Sequence, residues 1–583
     1  MDYLEKYNMW LDSPLIDDKT KEELRSIKDE KDIEDRFYKD LEFGTGGLRG
    51  VIGAGSNRMN IYTVKKVTQG LSEYLLKEYK NRDVSVSIAY DSRIMSKEFA
   101  KEASLTLCAN GIRVNLFESL RPTPMLSYTV RHLKSNAGIV ITASHNPKEY
   151  NGYKVYGEDG GQVTDKKAKD IITCVNNIKD LKQVKSFTLE EAKEKKLLNI
   201  IGEELDRDYI NDVKKLTIRN ELVKNNAKDL KIIYTPIHGS GNIPVRRVLG
   251  ELGYENLFVV KEQELPDGTF PTAEYPNPEM PQVFDIALEM AKDIKPDIIF
   301  GTDPDCDRIG AIVKNNKNEY KVLTGNMMGV LLTEYILSSL KEKNIMPKNP
   351  VVIKTIVTTE MVKAIAKDFN VEVMDVLTGF KYIGEKIGEF EKNKNKDYVF
   401  GFEESYGYLR GTFVRDKDAV IASMLICEMT LYYKKKGLSL YDALMKLYEK
   451  YGFYKEELVS INLMGKEGQK QIGMTIDELR NANDLKIDGC NIAQKYDYKI
   501  GIEKDIINGI ENKINLPKSN VLKFVLENGD YFVIRPSGTE PKMKIYMGVK
   551  GESLENSKEN MIDFKEKILN LVENIRKKFK INI

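Results

Sequence analysis

The run Thr142-Ala143-Ser144-His145-Asn146, closed by Pro147, puts a hydroxyl, an imidazole and an amide directly after the apolar stretch Gly138-Ile139-Val140-Ile141. A buried strand that ends this way offers a nucleophile, Ser144, with a ring nitrogen next to it. Pro147 has no N–H for a ladder, so the strand stops there. Loops at the carboxyl ends of strands are where open α/β sheets hold their ligands. Ser-His pairs also occur as ordinary turn chemistry, so this segment needs support from elsewhere in the chain.

A second loop is built alike. Pro296-Asp297-Ile298-Ile299-Phe300 reads as a short buried strand and runs into Gly301-Thr302-Asp303-Pro304-Asp305-Cys306-Asp307-Arg308. In an extended segment Asp303, Asp305 and Asp307 would point to one side, with Cys306 facing away and Pro304 keeping the backbone out of a helix. Two unit charges ~4 Å apart repel by about 4 kcal/mol at an effective dielectric near 20, so a positive partner is required. Oxygen-only ligands suit a hard cation, Mg²⁺ first. An EF-hand would need glycine and an acid where Arg308 and Lys314 stand, which excludes that calcium site.

Two further loops carry binding chemistry. Gly401-Phe402-Glu403-Glu404-Ser405-Tyr406-Gly407 follows another strand-like run. Glu403 and Ser405 can grip a vicinal diol, and the same residues would equally suit the first turn of a helix. In Arg535-Pro536-Ser537-Gly538-Thr539 a guanidinium, two hydroxyls and a glycine-permitted backbone approach make an anion cradle without the P-loop pattern. Gly44-Thr45-Gly46-Gly47-Leu48-Arg49-Gly50 reads as a flexible glycine loop that lacks the dinucleotide spacing, with Arg49 able to reach a phosphate on Ser144.

The elements that must position these loops alternate between strands and helices. Strand-like runs precede Asp91, Ser144, Asp303 and Glu403, and helical spacing marks 61–80 and 326–342. Such alternation predicts α/β layers with parallel or mixed sheets. Residues 1–40 read as amphipathic helices, and the lysine-rich stretches near 190–206 and 313–321 as solvated helix faces near boundaries. Past about 451 the pattern becomes α+β, ending in one long charged helix, 555–580. The expected domains are 1–206 with the serine, 207–320 with the aspartates, 321–450 with Glu403, and a smaller terminal domain, 451–583. A chain of 583 residues accommodates roughly four domains.

Composition narrows the class. Lys+Arg 90 against Asp+Glu 89 gives net charge +1, so no global field favours nucleic acid or a membrane surface. Five scattered cysteines and three histidines argue against zinc and fit a reducing compartment. No signal-peptide pattern and no apolar run of ~20 residues is visible, and a cytoplasmic location is expected.

Taken in order and separation, the four loops resemble the α-D-phosphohexomutase family, the phosphoglucomutases and phosphomannomutases, over about residues 40–550. The resemblance implies four domains around a central cleft and an isomerase that moves a phosphate across a sugar. It implies that Ser144 is phosphorylated and that Asp303, Asp305 and Asp307 hold Mg²⁺ with an oxygen of that phosphate. Glu403 and Ser405 would bind sugar hydroxyls, and Arg535, Ser537, Gly538 and Thr539 the non-reacting phosphate. Arg49 and Arg308 would lie near the transferring group, and Lys154 and His145 would be proton-transfer candidates. Thr378-Gly379 would sense which end of the sugar is presented, and Lys417 would be a further substrate-side lysine. The Glu-Glu-Ser wording favours glucose phosphates, with glucose 1,6-bisphosphate as intermediate and activator. Pentose or mannose phosphates and bisphosphate synthesis are the alternatives, and the chain is expected to be a monomer or weak homo-oligomer.

Overall fold

The computed structural model describes residues 2–580, apart from Thr45, Asn81, Met464, Asn483, Asp484, Asp488 and 538–541, and apart from the side chains of 465, 466, 579 and 580. The chain forms two compact units: Met1–Ile353 with Gly379–Tyr441, and Lys354–Thr378 with Asp442–Ile583. Among the described residues, no helix is long and apolar enough to cross a membrane.

In the first unit, a six-stranded sheet runs in the order Gly47–Val51, Tyr150–Gly157, Ala137–Ile141, Ser85–Tyr90, Arg113–Phe117, Leu198–Ile201. Its inner pairs are parallel, while Tyr150–Gly157 runs antiparallel to both neighbours. Ala137–Ile141 is buried along its whole length. That is why its sequence reads as a continuous apolar run rather than alternating, as a strand covered on both faces must. A five-stranded sheet follows: Tyr320–Leu323, Ile309–Lys314, Ile298–Thr302, Ile232–Thr235, Leu257–Val259. Asp397–Glu403 pairs antiparallel with the short strand Gly407–Leu409. Each strand that leads to a reactive loop therefore ends where its sequence turns from apolar to polar. Three helices, Tyr3–Asp12, Asp18–Arg25 and Glu30–Phe37, are N-capped by Asp2, Asp17 and Asp29. They enclose a small core of Leu24, Phe37 and Ala54.

The second unit is built on an antiparallel sheet ordered Phe453–Asn462, Lys542–Gly551, Tyr531–Pro536, Leu522–Leu526, Cys490–Asp497, Ile502–Asp505, Ile510–Lys513. Helices Gly465–Asn481 and Leu554–Lys580 contribute Ile476, Leu479, Phe564 and Ile568 to a core shared with Phe524 and Phe532. The Lys523 side chain is buried in this unit, where it meets Glu360 at 2.7 Å.

Four expectations need correction; within the stretch 190–206, read as a solvated helix face, Leu198–Ile201 is an edge strand of the six-stranded sheet. The Asp303–Asp307 segment is a tight turn, not an extended run: the Cys306 N–H donates to the Asp303 carbonyl at 2.9 Å, and Cys306 has φ 51°. Pro304 excludes a helix but suits the second position of a turn, so its presence did not enforce extension. The stretch 313–321 is the turn of the hairpin Ile309–Lys314/Tyr320–Leu323, not a helix face. Its Asn315 side chain takes the N–H groups of Lys317 and Glu319. That hairpin lies across the expected boundary at 320. Finally, Gly47–Val51 is an edge strand registered on Tyr150–Gly157, with Arg49 opposite Gly152, rather than a flexible loop.

Candidate active site

Ser144 sits in the left-handed region at φ 53° and is 4% exposed. Such a conformation costs a non-glycine residue of order 1–3 kcal/mol and survives only when its surroundings fix it. Two devices do so. The Thr142 hydroxyl accepts the Ser144 N–H at 2.8 Å and donates to Asp91 at 2.6 Å. The buried Arg93 guanidinium donates to the carbonyls of Ser144 (2.6 Å), Pro147 (2.8 Å), Tyr150 (3.0 Å) and Asn146. Its charge is balanced by Asp91, 3.5 Å away. One planar fork thus gathers the carbonyls that a reversing backbone cannot pair with itself. The Ser144 Oγ lies 3.1 Å from His145 Nδ1 and donates to Asp303 Oδ2 at 2.8 Å.

The aspartate turn is anchored from several elements of the first unit. Asp303 Oδ1 accepts the N–H groups of Asp307 (3.1 Å) and Arg308 (3.0 Å). The Pro304 carbonyl accepts from the Ser240 N–H and hydroxyl, both at 2.8 Å. Thr123, which opens the helix Thr123–His132, donates its N–H to the Asp305 carbonyl (2.9 Å) and its hydroxyl to Asp305 Oδ2 (2.8 Å). All three carboxylates are buried, with one oxygen from each within 4.8 Å of the others. Asp305 Oδ1 and Asp307 Oδ1 have no hydrogen-bond partner. Buried orphan carboxylate oxygens are costly, and an all-oxygen cluster with open lone pairs fits a hard divalent cation.

Charge sets the state of every group here. Burial, reinforced by Asp305 and Asp307, pushes the Asp303 carboxyl far above its ordinary range. Burial would raise Asp305 as well, but Lys154, 2.8 Å away, pulls it below. Lys154, also 3.6 Å from Asp307, is itself held protonated: burial opposes this and the two aspartates prevail. Lys417 pairs with Asp307 Oδ2 at 2.8 Å and is pushed up by Asp307 and Asp416 against its burial. Burial, with Arg308 and Arg49 adding to it, holds His145 well below its ordinary value and therefore neutral at pH 7. Arg308 bonds Glu279 at 2.9 Å and lies 3.8 Å from Asp307.

Glu403 ends its strand buried, and burial pushes its carboxyl up to about 7 against the pull of Lys417 and Arg308. The folded protein then keeps a proton that the unfolded chain releases near 4.5. This contribution to stability is full below about pH 4.5 and is lost as pH rises through about 7, by about 3 kcal/mol at most. Glu403→Gln is expected to flatten that decline in thermal unfolding of metal-free protein at pH 5 to 8; an unchanged slope would contradict the assignment.

Ser144, His145, Lys154, Asp303, Asp305, Asp307, Arg308 and Lys417 are brought together by the contacts above. Ser405 lies on the turn after Glu403, where Tyr406 has φ 64°. Arg49 is exposed and donates to Asn146 at 3.0 Å, which ties the edge strand to the serine loop. Thr378 and Gly379 form the bend before helix Phe380–Asn393, with Gly379 at φ 114°. In the second unit, Arg535 stands opposite Lys544 near the end of its strand, and the Ser537 N–H bonds the Lys542 carbonyl at 2.7 Å. Gly538 and Thr539 lie outside the described residues.

The cavity beside the serine loop, about 320 Å³, is lined by His145, Asn146, Pro147, Tyr275, Asn277 and Met280. A larger one, about 900 Å³, opens over Leu198–Ile201 and contains neither the serine nor the aspartates. Converging charge, not size, marks the site. Sequence reasoning missed Arg93, Thr142, Thr123 and Glu279. Asp91-Ser92-Arg93, directly after a strand, carried a readable signal, whereas Thr123 joins Asp305 only through the fold.

Family models describing α/β/α domains I, II and III of phosphoglucomutase/phosphomannomutase match residues 40–182, 207–317 and 324–451, and the C-terminal domain model matches 479–563. A phosphoglucomutase of Staphylococcus saprophyticus is 36% identical over 547 residues, spanning 94% of this chain and 97% of its own. Among solved structures, Paramecium parafusin (a phosphoglucomutase, in an open form) has a TM-score of 0.67 at 16% identity, covering 92% of this chain and 96% of its own. A phosphoglucomutase/phosphomannomutase family protein of Burkholderia thailandensis gives 0.65 at 16% identity, covering 92% and 98%. At such identities the structural likeness concerns the fold.

Proposed function

Because the chain belongs to the phosphoglucomutase/phosphomannomutase family, we propose that it interconverts α-D-glucose 1-phosphate and glucose 6-phosphate through a phosphorylated Ser144. The observation that carries this reading is the 2.8 Å contact of the Ser144 hydroxyl with an aspartate of the buried trio. Glucose follows from the name of the S. saprophyticus relative and from the Glu-Glu-Ser loop.

Asp303, Asp305 and Asp307 would hold Mg²⁺. When bound, the ion neutralises charge on the transferring phosphoryl group. In the forward half-reaction the Ser144 Oγ–P bond breaks and a bond from phosphorus to the free sugar hydroxyl forms. Ser144 regains a proton, and the sugar hydroxyl gives one up. His145, neutral and 3.1 Å from Ser144 Oγ, is placed to take or return it. Lys154, held protonated by the aspartates, donates charge to the site rather than accepting a proton in this arrangement. Glu403, Ser405 and Lys417 would orient the sugar. Arg535, Ser537, Gly538 and Thr539 would take the other phosphate. The bisphosphate intermediate returns its second phosphate to Ser144, so atoms and charge balance over the cycle.

Asp305→Asn tests the metal assignment. It removes one ligand charge and the partner of Lys154, so the Mg²⁺ concentration for half-maximal activity is expected to rise by about 10-fold or more. An unchanged metal dependence would overturn it. A panel of hexose and pentose 1-phosphates tests the sugar, with glucose 1-phosphate expected to give the highest kcat/KM.

A further inference from the structure

The sheet of the second unit ends in the strand Ile510–Lys513, which is exposed throughout. With its turn it also exposes Ile506 (42%), Ile507 (61%) and Ile510 (52%). An exposed edge strand is a template for another strand, and proteins usually blunt it with charge. Here the charges are Glu511 and Lys513, one of each sign at alternate positions.

The ladder fixes which backbone groups are free. This strand pairs antiparallel with Ile502–Asp505, with Lys504 opposite Glu511 and Ile502 opposite Lys513. The Ile514 N–H bonds the Gly501 carbonyl at 2.9 Å. Since hydrogen-bonded and non-hydrogen-bonded pairs alternate in such a ladder, Ile510, Asn512 and Ile514 turn their N–H and C=O groups inward. Glu511 and Lys513 turn theirs to the open edge.

We propose that the open edge docks a second copy of this chain, the two strands pairing antiparallel about a two-fold axis through Asn512. In that register Glu511 of one protomer lies opposite Lys513 of the other, twice. Both are residues whose backbone groups face outward, so each pair exchanges two N–H···O bonds. Ile510 meets Ile514 across the axis on the other face. Sliding the pairing by two residues either way sets Glu511 against Glu511 or Lys513 against Lys513, which like-charge repulsion disfavours. Lys504, 2.6 Å from Glu511, extends the alternation of sign across three strands. Charge thus favours this register over its neighbours. A ladder this short buries less than the ~1,600 Å² of a standard stable interface, so the dimer is weak and concentration-dependent.

Sedimentation equilibrium of the full chain over a wide concentration range tests this. Wild type is expected to show a monomer–dimer equilibrium. Glu511→Lys and Lys513→Glu, each placing like charges opposite one another twice, are expected to raise the dissociation constant at least about 10-fold. The double variant Glu511→Lys/Lys513→Glu restores complementarity across the two-fold axis with the signs exchanged, losing only the exposed Lys504–Glu511 pair within each protomer, and is expected to return to within about 3-fold of wild type. Recovery in the double variant separates a charge effect from misfolding of the single ones. A wild type that stays monomeric, single variants that dimerise as wild type does, or a double variant that fails to recover would each overturn the proposal.

Discussion

Replacing Ser144 by alanine is expected to lower the interconversion of glucose 1-phosphate and glucose 6-phosphate by at least about 10⁴-fold, as deletion of a covalent nucleophile does elsewhere. Thr123 also reaches Asp305, but from a buried helix start where its N–H is committed to the same residue. Alanine keeps the backbone N–H bond to Thr142 and bears the same φ 53° strain as serine, so the loop backbone is expected to hold. Turnover above a tenth of wild type would refute the serine's role, with coupled detection of glucose 6-phosphate as the measurement.

Arg93→Ala carries the second large effect, and it acts at a distance from the reacting atoms. The guanidinium holds the carbonyls of Ser144, Asn146, Pro147 and Tyr150 and balances Asp91. Truncation leaves those groups unsatisfied and Asp91 buried without its counter-ion. Breaking a buried pair in this way costs about 3–5 kcal/mol. Chemical denaturation should show that loss. Arg93→Lys keeps the charge but not the planar fork, so it is expected to recover part of the stability and little of kcat, because the serine loop loses its register. Equal recovery of both would show that Arg93 acts only as a charge.

How much of this was readable in advance depended on whether a feature is local. The strand before Ser144 was legible because the apolar run is short, β-branched and bounded by turn residues, which suits a strand covered on both faces, and the serine loop followed from Pro147. That the aspartate loop gathers three carboxylates able to hold a metal ion was legible from side-chain chemistry alone. Its shape was not. Pro304 restricts its own φ, and that restriction is shared by extended chain and turn; only the Asp303–Cys306 backbone bond separates them. The hairpin at 313–321 was misread because lysines and asparagines suit a solvated turn as well as a solvated helix face. Thr123 could not be found at all: nothing at position 123 announces a partner 182 residues away. Lys154 illustrates a different gap. Its position after the serine loop was evident, but its protonated state is set by Asp305 and Asp307 arriving from another sheet.

In the proposed function Ser144 itself carries the phosphoryl group between the two ends of the sugar. Incubating the protein with glucose 1,6-bisphosphate bearing a labelled phosphate, followed by proteolysis and mass mapping, tests it without relying on turnover. One labelled phosphate per chain is expected, on the peptide containing Ser144, and it is discharged when unlabelled glucose 6-phosphate is added. Label on any other peptide, or none at all in protein that interconverts the two substrates, would contradict it.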